Sequence, residues 1–170
     1  MTTRTVTDLF SIKTATQSDL EPLVEMGIKL QKYTEKSNPD MWRLTDDGCK
    51  NLKNHFSEMI ADPRHCVLLA FNGEGNHVGM AIGKIITNAD FIPEMRGSIE
   101  KIFVEEPYRR YGIGTALVAR ICEFFASLGI QDISLGYVVG NQQAERFWKG
   151  LGFRDRIRSM CISVEKLAKR

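Results

Sequence analysis

Apolar positions along the chain follow two periods, and the switches between them mark out elements. Residues 10–15 alternate apolar and polar side chains as a half-buried strand does, and Thr16 with Asp19 makes a capping-box pattern. Leu20, Leu23, Val24 and Ile28 then keep helical spacing, which predicts a helix over 18–33 that ends at or before Asn38-Pro39, where TEKSNPD has turn chemistry. Thr45 reads as the cap of a second helix with Leu52, Phe56, Met59 and Ile60 on one face and Asp62-Pro63 as its stop. The runs 65–71 and 77–87 flank the turn cluster NGEGN and predict an antiparallel hairpin.

After a loop over 88–97, residues 98–105 (SIEKIFVE) predict another strand, and 112–128 a helix. Ile113, Leu117, Ile121, Phe124 and Leu128 form its apolar stripe, with Gly129 at the position that ends it. A strand over 132–138, a short helix over 141–150 and a final strand or pair of strands over 153–164 complete the order β-α-α-β-β-β-α-β-α-β. The unit spanning 99–138 should be a right-handed crossover joining parallel strands of a mixed sheet.

Composition narrows the class without naming a partner. The 170 residues, 43% of them hydrophobic, suffice for one sizeable core, and no repeat or compositional shift marks a domain boundary. With 23 basic and 21 acidic residues the net charge is +2, which gives no footprint for nucleic acid or an anionic membrane. Cys49, Cys66, Cys122 and Cys161 are widely spaced within apolar runs and read as buried reduced thiols, not as a metal cage or a disulfide framework. His55, His65 and His77 share no ligand spacing, so no metal site is expected. The N-terminal stretch lacks a signal-peptide apolar core, and no run approaches the ~20 apolar residues of a membrane span, so a cytoplasmic protein is expected.

The chemistry concentrates in residues 99–114, IEKIFVEEPYRRYGIG, where a strand ends, a basic loop follows and two glycines open a long helix. Amides of a first helical turn have no internal partners and sit at the positive end of the helix dipole, so such a turn can hold a phosphate. Gly112 and Gly114 permit close backbone approach, and Arg109 and Arg110 add charge. A plain solvated strand-to-helix turn has the same ingredients. The order Arg-x-x-Gly-x-Gly between strand and helix, however, resembles the pyrophosphate signature of the acetyl-CoA-dependent GNAT N-acetyltransferases. A second segment, NQQAERFWKGLGF at 141–153, is similar to that family's N-x-x-A-x-x-F-Y…G-F landmark.

The resemblance implies a single N-acetyltransferase domain over 1–170, of α/β (α+β) class, with a mixed, mostly antiparallel six- to seven-stranded sheet and helices on both faces. It implies acetyl-CoA as cosubstrate and a small-molecule primary amine as acceptor. Amides of Arg110, Tyr111, Gly112, Ile113, Gly114 and Thr115 would then cradle the pyrophosphate, with Arg109 and Arg110 adding charge to the same cofactor site. Pantetheine would enter between two splayed strands and pair near Ile102, Phe103 and Val104, with the Val104 amide aimed at the thioester carbonyl as an oxyanion donor. Asn141 would contact the cofactor, and Phe147 and Trp148 would flank its thiol end.

Glu100 lies nine residues before Arg109, the offset at which diamine-type members place a base; it equally reads as a strand carboxylate paired with a cation. Alternation sets it on the face of Ile102 and Val104. Trp148 stands where many members carry a tyrosine that protonates the departing thiolate, and indole cannot do so; Tyr137, Tyr111 or water remain. Gly136 stands where protein N-terminal acetyltransferases tend to carry a glutamate, which argues against that class. Tyr33 and Trp42 could wall an acceptor pocket, although Trp42 also reads as core and the acidic residues nearby as helix caps. Arg154, Arg156 and Arg158 read as the solvated face of a strand, and a homodimer stays open. Protein lysine acetylation and a non-catalytic acyl-CoA-binding module are the alternatives in function.

Overall fold

A computed structural model describes residues 10–169, so the reading of the N-terminus as free of a targeting segment lies almost wholly outside the described residues. Five strands form one sheet in the order β1-β2-β3-β4-β5: Phe10–Thr14, His65–Asn72, His77–Thr87, Met95–Val104 and Ile133–Leu135. The first four pair antiparallel, and β5 pairs parallel to β4. Five helices follow the same chain order: α1 Leu20–Ser37, α2 Asp46–Ala61, α3 Ile113–Ser127, α4 Gln142–Gly150 and α5 Val164–Ala168.

Side chains of the two central strands, β2 and β3, are buried on both faces, and each face carries its own core. Val67, Leu69, Met80, Ile82 and Phe103 pack with Leu23 and Met26 of α1 and Phe56 and Met59 of α2. Leu68, Ala70, Ala81 and Ile99 pack on the opposite face with Ile113, Leu117, Ile121 and Phe125 of α3 and with Trp148 of α4. Glycines set the spacing of this second layer. A β-carbon on Gly97 would stand 2.6 Å from the Phe125 ring and one on Gly83 2.8 Å from Ile121, so α3 lies on the sheet only because both are bare.

The caps expected from sequence are formed. The Asp19 carboxylate accepts from the Thr16 amide at 2.8 Å ahead of α1, and the Thr45 hydroxyl accepts from the Gly48 amide at 3.0 Å in α2. Three expectations need correction. Among the described residues the sheet has five strands, not six or seven. Residues 153–163 form no strand among the described residues and lead into the five-residue helix α5, so Arg154, Arg156 and Arg158 are exposed but lie on no strand face. Finally, β5 stops at Leu135, three residues short of the expected end, because the chain turns away toward α4.

The thiols and Trp42 also differ from expectation. All four cysteines are free; Cys49, Cys66 and Cys122 are half-buried, and Cys161, on the unpaired tail, is exposed. Trp42 is 86% exposed and belongs to neither core, since the connection between α1 and α2 runs over the surface. No helix among the described residues is long and apolar enough to cross a membrane.

Candidate active site

Strand β4 is the axis of the site, and two irregularities in it define the geometry. Opposite β3, Lys101 pairs with Ile82 but Ile99 pairs with Gly83, which leaves Glu100 as the extra residue of a bulge. Alternation resets there. Ile99, Ile102 and Val104 all pack toward α3, whereas Glu100 reaches Lys84 on the other face, its carboxylate 3.7 Å from the ammonium. The expected sharing of one face by Glu100, Ile102 and Val104 therefore fails, and the bulge is the reason.

The second irregularity is an opening. β5 pairs with β4 only at Gly97, Ser98 and Ile99, so residues 100–104 have no strand on that side among the described residues. The Glu105 amide donates to the Val78 carbonyl at 2.9 Å across β3. Main-chain groups alternate in direction along a strand, so those of Ile102 and Val104 face away from β3 into the opening. A ligand lying there would find donors and acceptors already aligned.

The opening leads to the β4–α3 loop. Arg110 holds a left-handed backbone, with φ of 68°, and Gly112 caps α3 with φ of 83°. A non-glycine residue in that region carries strain, which gathers at binding sites, and left-handed residues among extended or right-handed ones turn successive amides toward one concavity. Helix α3 adds its own unpartnered amides from Ile113 onward. The donor set thus fits a phosphate group. Gly114 lies under the Phe147 ring, to which a β-carbon would stand 3.3 Å, and 4.0 Å from the Val104 side chain, so loop, β4 end and α4 meet at one point.

The other expected residues occupy distinct stations. The Asn141 side chain caps α4 by accepting from the Ala144 amide at 3.0 Å. Phe147 is half-buried at the mouth, but Trp148 is 4% exposed, edge-on to Phe147 at 4.8 Å and to Phe153 at 5.3 Å, and serves the core. Tyr137 packs half-buried against the α3-side core, whereas Tyr111 and Thr115 are exposed.

Tyr33 sits at the C-terminal half of α1, its hydroxyl donating to the Gln143 side-chain oxygen at 2.8 Å. Arg109 donates to that same oxygen at 3.1 Å and, through Nε, to the Val104 carbonyl at 2.9 Å. Sequence reasoning missed Gln143 as the oxygen that joins them; a polar residue in the first turn of an amphipathic helix carries no signal of its own. Lys29 donates to Glu105 at 2.6 Å and so fastens α1 to the end of β4 a turn earlier, and its hydrogen bonds to Glu105 and then Glu25 raise the ammonium's pKa.

Known proteins place this arrangement. Residues 29–153 match the profile of the Acetyltransferase (GNAT) family. A curated relative, human N-alpha-acetyltransferase 30, is 28% identical over 155 residues, covering 86% of this chain and 41% of its own length, so the chain spans well under half of that protein. Among solved structures, the aminoglycoside 6'-N-acetyltransferase AAC(6')-Ih of Acinetobacter baumannii superposes with a TM-score of 0.73 at 19% identity, over 91% of this chain and 97% of that one. A protein of Clostridium acetobutylicum described as a predicted acetyltransferase and solved with acetyl-CoA gives 0.70 at 20% identity, over 93% and 98%. At these identities the structures establish the fold, and the profile, which spans most of the chain, establishes the lineage: this chain belongs to the GNAT acetyltransferase family.

Proposed function

We propose that the protein is an N-acetyltransferase that moves the acetyl group of acetyl-CoA to a primary amine of a small-molecule acceptor within a ternary complex. The observation that carries this reading is the opening beside residues 100–104, with the Val104 amide facing it and the phosphate-fitting loop at its end. The loop amides from Arg110 to Thr115 hold the pyrophosphate, the main chain from Ile102 to Val104 pairs with pantetheine, and Phe147 walls the mouth. In the transfer a bond forms from the amine nitrogen to the carbonyl carbon and the carbon–sulfur bond breaks. The amine loses a proton to a base, and the thiolate gains one.

Glu100 is our candidate for that base, directly or through water, and Tyr137 for the proton donor. Bulging turns Glu100 out of the strand's regular alternation, and its pairing with Lys84 is long enough at 3.7 Å to leave carboxylate oxygens available. Tyr33 and Trp42 border the acceptor side. A protein N-terminus is the second acceptor reading, favoured by the similarity to N-alpha-acetyltransferase 30 across 155 residues. A homodimer is also proposed: Ile157 and Met160, 87% and 94% exposed on a tail of strand-like sequence, support pairing with a second copy.

Thiol release from acetyl-CoA, measured across a polyamine, an aminoglycoside and a peptide with a free N-terminus, tests the function. Turnover on one of the small amines, slowed about 10²-fold or more by Glu100→Gln, is the expected result. Turnover on the peptide alone would replace the small-molecule reading. Absence of release with every amine would favour a binding module.

A further inference from the structure

We propose that the Arg109 side chain serves the acetyl end of the cleft and not its phosphate end: it is a positioning residue that fixes the Val104 main chain and sets a positive charge beside the carbonyl oxygen which the Val104 amide receives. The inference rests on the reading that this cleft takes acetyl-CoA. Adjacent arginines in a phosphate signature suggest one shared task, but the structure separates them. Arg110 is exposed, on a left-handed residue of the loop. Arg109 folds back along β4.

Each bidentate edge of its guanidinium already has one nitrogen engaged. Nε donates to the Val104 carbonyl at 2.9 Å and Nη1 to the Gln143 oxygen at 3.1 Å. The planar group lies over the Tyr33 ring at 5.0 Å and near the Phe103 ring at 5.8 Å. Bidentate recognition of a phosphate needs both nitrogens of one edge, and here Nε is held by β4 and Nη1 by α4, which leaves Nη2 alone without a protein partner.

Its location follows from the strand's alternation. Because the Glu105 amide turns to β3, the carbonyl and amide of Val104 both face the opening, and the guanidinium that holds the carbonyl stands on that same side. Negative charge growing on an oxygen at the Val104 amide therefore develops next to a fixed cation, in a site whose donors need no reorganisation. Lysine would keep the charge and lose the fork. No single ammonium reproduces both bonds together with the position over the Tyr33 ring.

The test is calorimetric titration of the full chain with coenzyme A and with S-carboxymethyl-coenzyme A, whose carboxylate carries negative charge near the position of the thioester oxygen. Arg109→Ala should weaken the carboxymethyl compound about tenfold or more and coenzyme A less than about threefold, the loss of a charge-assisted contact at the acyl end alone. Arg109→Lys should restore only part of the difference. Equal losses for both ligands would put the side chain on the pyrophosphate and overturn the proposal, as would no loss for either. If Arg109→Ala fails to fold, Gln143→Ala and Arg109→Lys carry the same comparison, each with a selective loss for the carboxymethyl compound. Failure of the unaltered protein to bind coenzyme A would sink the underlying reading instead, so the two failures are distinguishable.

Discussion

Gly97 has no room for a side chain: the Phe125 ring fills the place where a β-carbon would go, at 2.6 Å. Gly97→Ala should therefore lift α3 from the sheet and destabilise the fold by about 1–3 kcal/mol, read from denaturant unfolding. An unchanged midpoint would mean that the ring swings aside at no cost. Gly112 is constrained by its backbone instead. At φ of 83° it caps α3, so Gly112→Ala should cost about 1–2 kcal/mol and weaken acetyl-CoA binding at the same time. The thiols respond to their surroundings: burial pushes Cys66 up to about 11, and burial also raises Cys122, so both stay protonated at neutral pH. A thiol reagent at pH 7 should label Cys161 first and those two slowly, as peptide mass spectrometry would show; rapid labelling of Cys66 would contradict the packing around it.

Elements with strong caps and long periodicity were legible in the sequence; elements that depend on neighbours were not. Thr16 and Thr45 announced α1 and α2, whose starts lie within two residues of those expected although α1 runs on to Ser37, because a cap is a local contract between a side chain and an amide three residues away. Thr45→Ala should accordingly cost about 1 kcal/mol, measurable as a lower thermal midpoint. The bulge at Glu100 was not legible, since IEKIFVE reads as a strand with or without an extra residue and only pairing with β3 reveals it. The tail after Phe153 was misread for the opposite reason. Its alternation has strand character, but no strand among the described residues pairs with it, so the pattern has nothing to act on. The loop chemistry was readable from Arg-x-x-Gly-x-Gly, whereas the separate duties of Arg109 and Arg110 depend on where Tyr33 and Gln143 come to lie, from helices far apart in the chain.

At the scale of the whole molecule, the two helical layers of the described residues leave an opening beside the C-terminal half of β4, and the unpaired tail that follows α4 meets the chain just before β5. Asp132 anchors that tail through Arg156 at 3.1 Å, after which Ile157 and Met160 point outward. Light scattering should return twice the chain mass for the protein and the chain mass once residues 157–170 are removed; a monomer in both cases would reject the dimer. The most direct trial of the account is calorimetric titration of the purified protein with acetyl-CoA, set beside ATP. Saturable binding of acetyl-CoA with ATP much weaker is the predicted result, because the cleft offers pantetheine an aligned strand edge as well as a phosphate loop. A folded sample that bound no acetyl-CoA, or bound ATP equally well, would contradict the assignment of the opening beside Val104 as the acyl-carrier cleft.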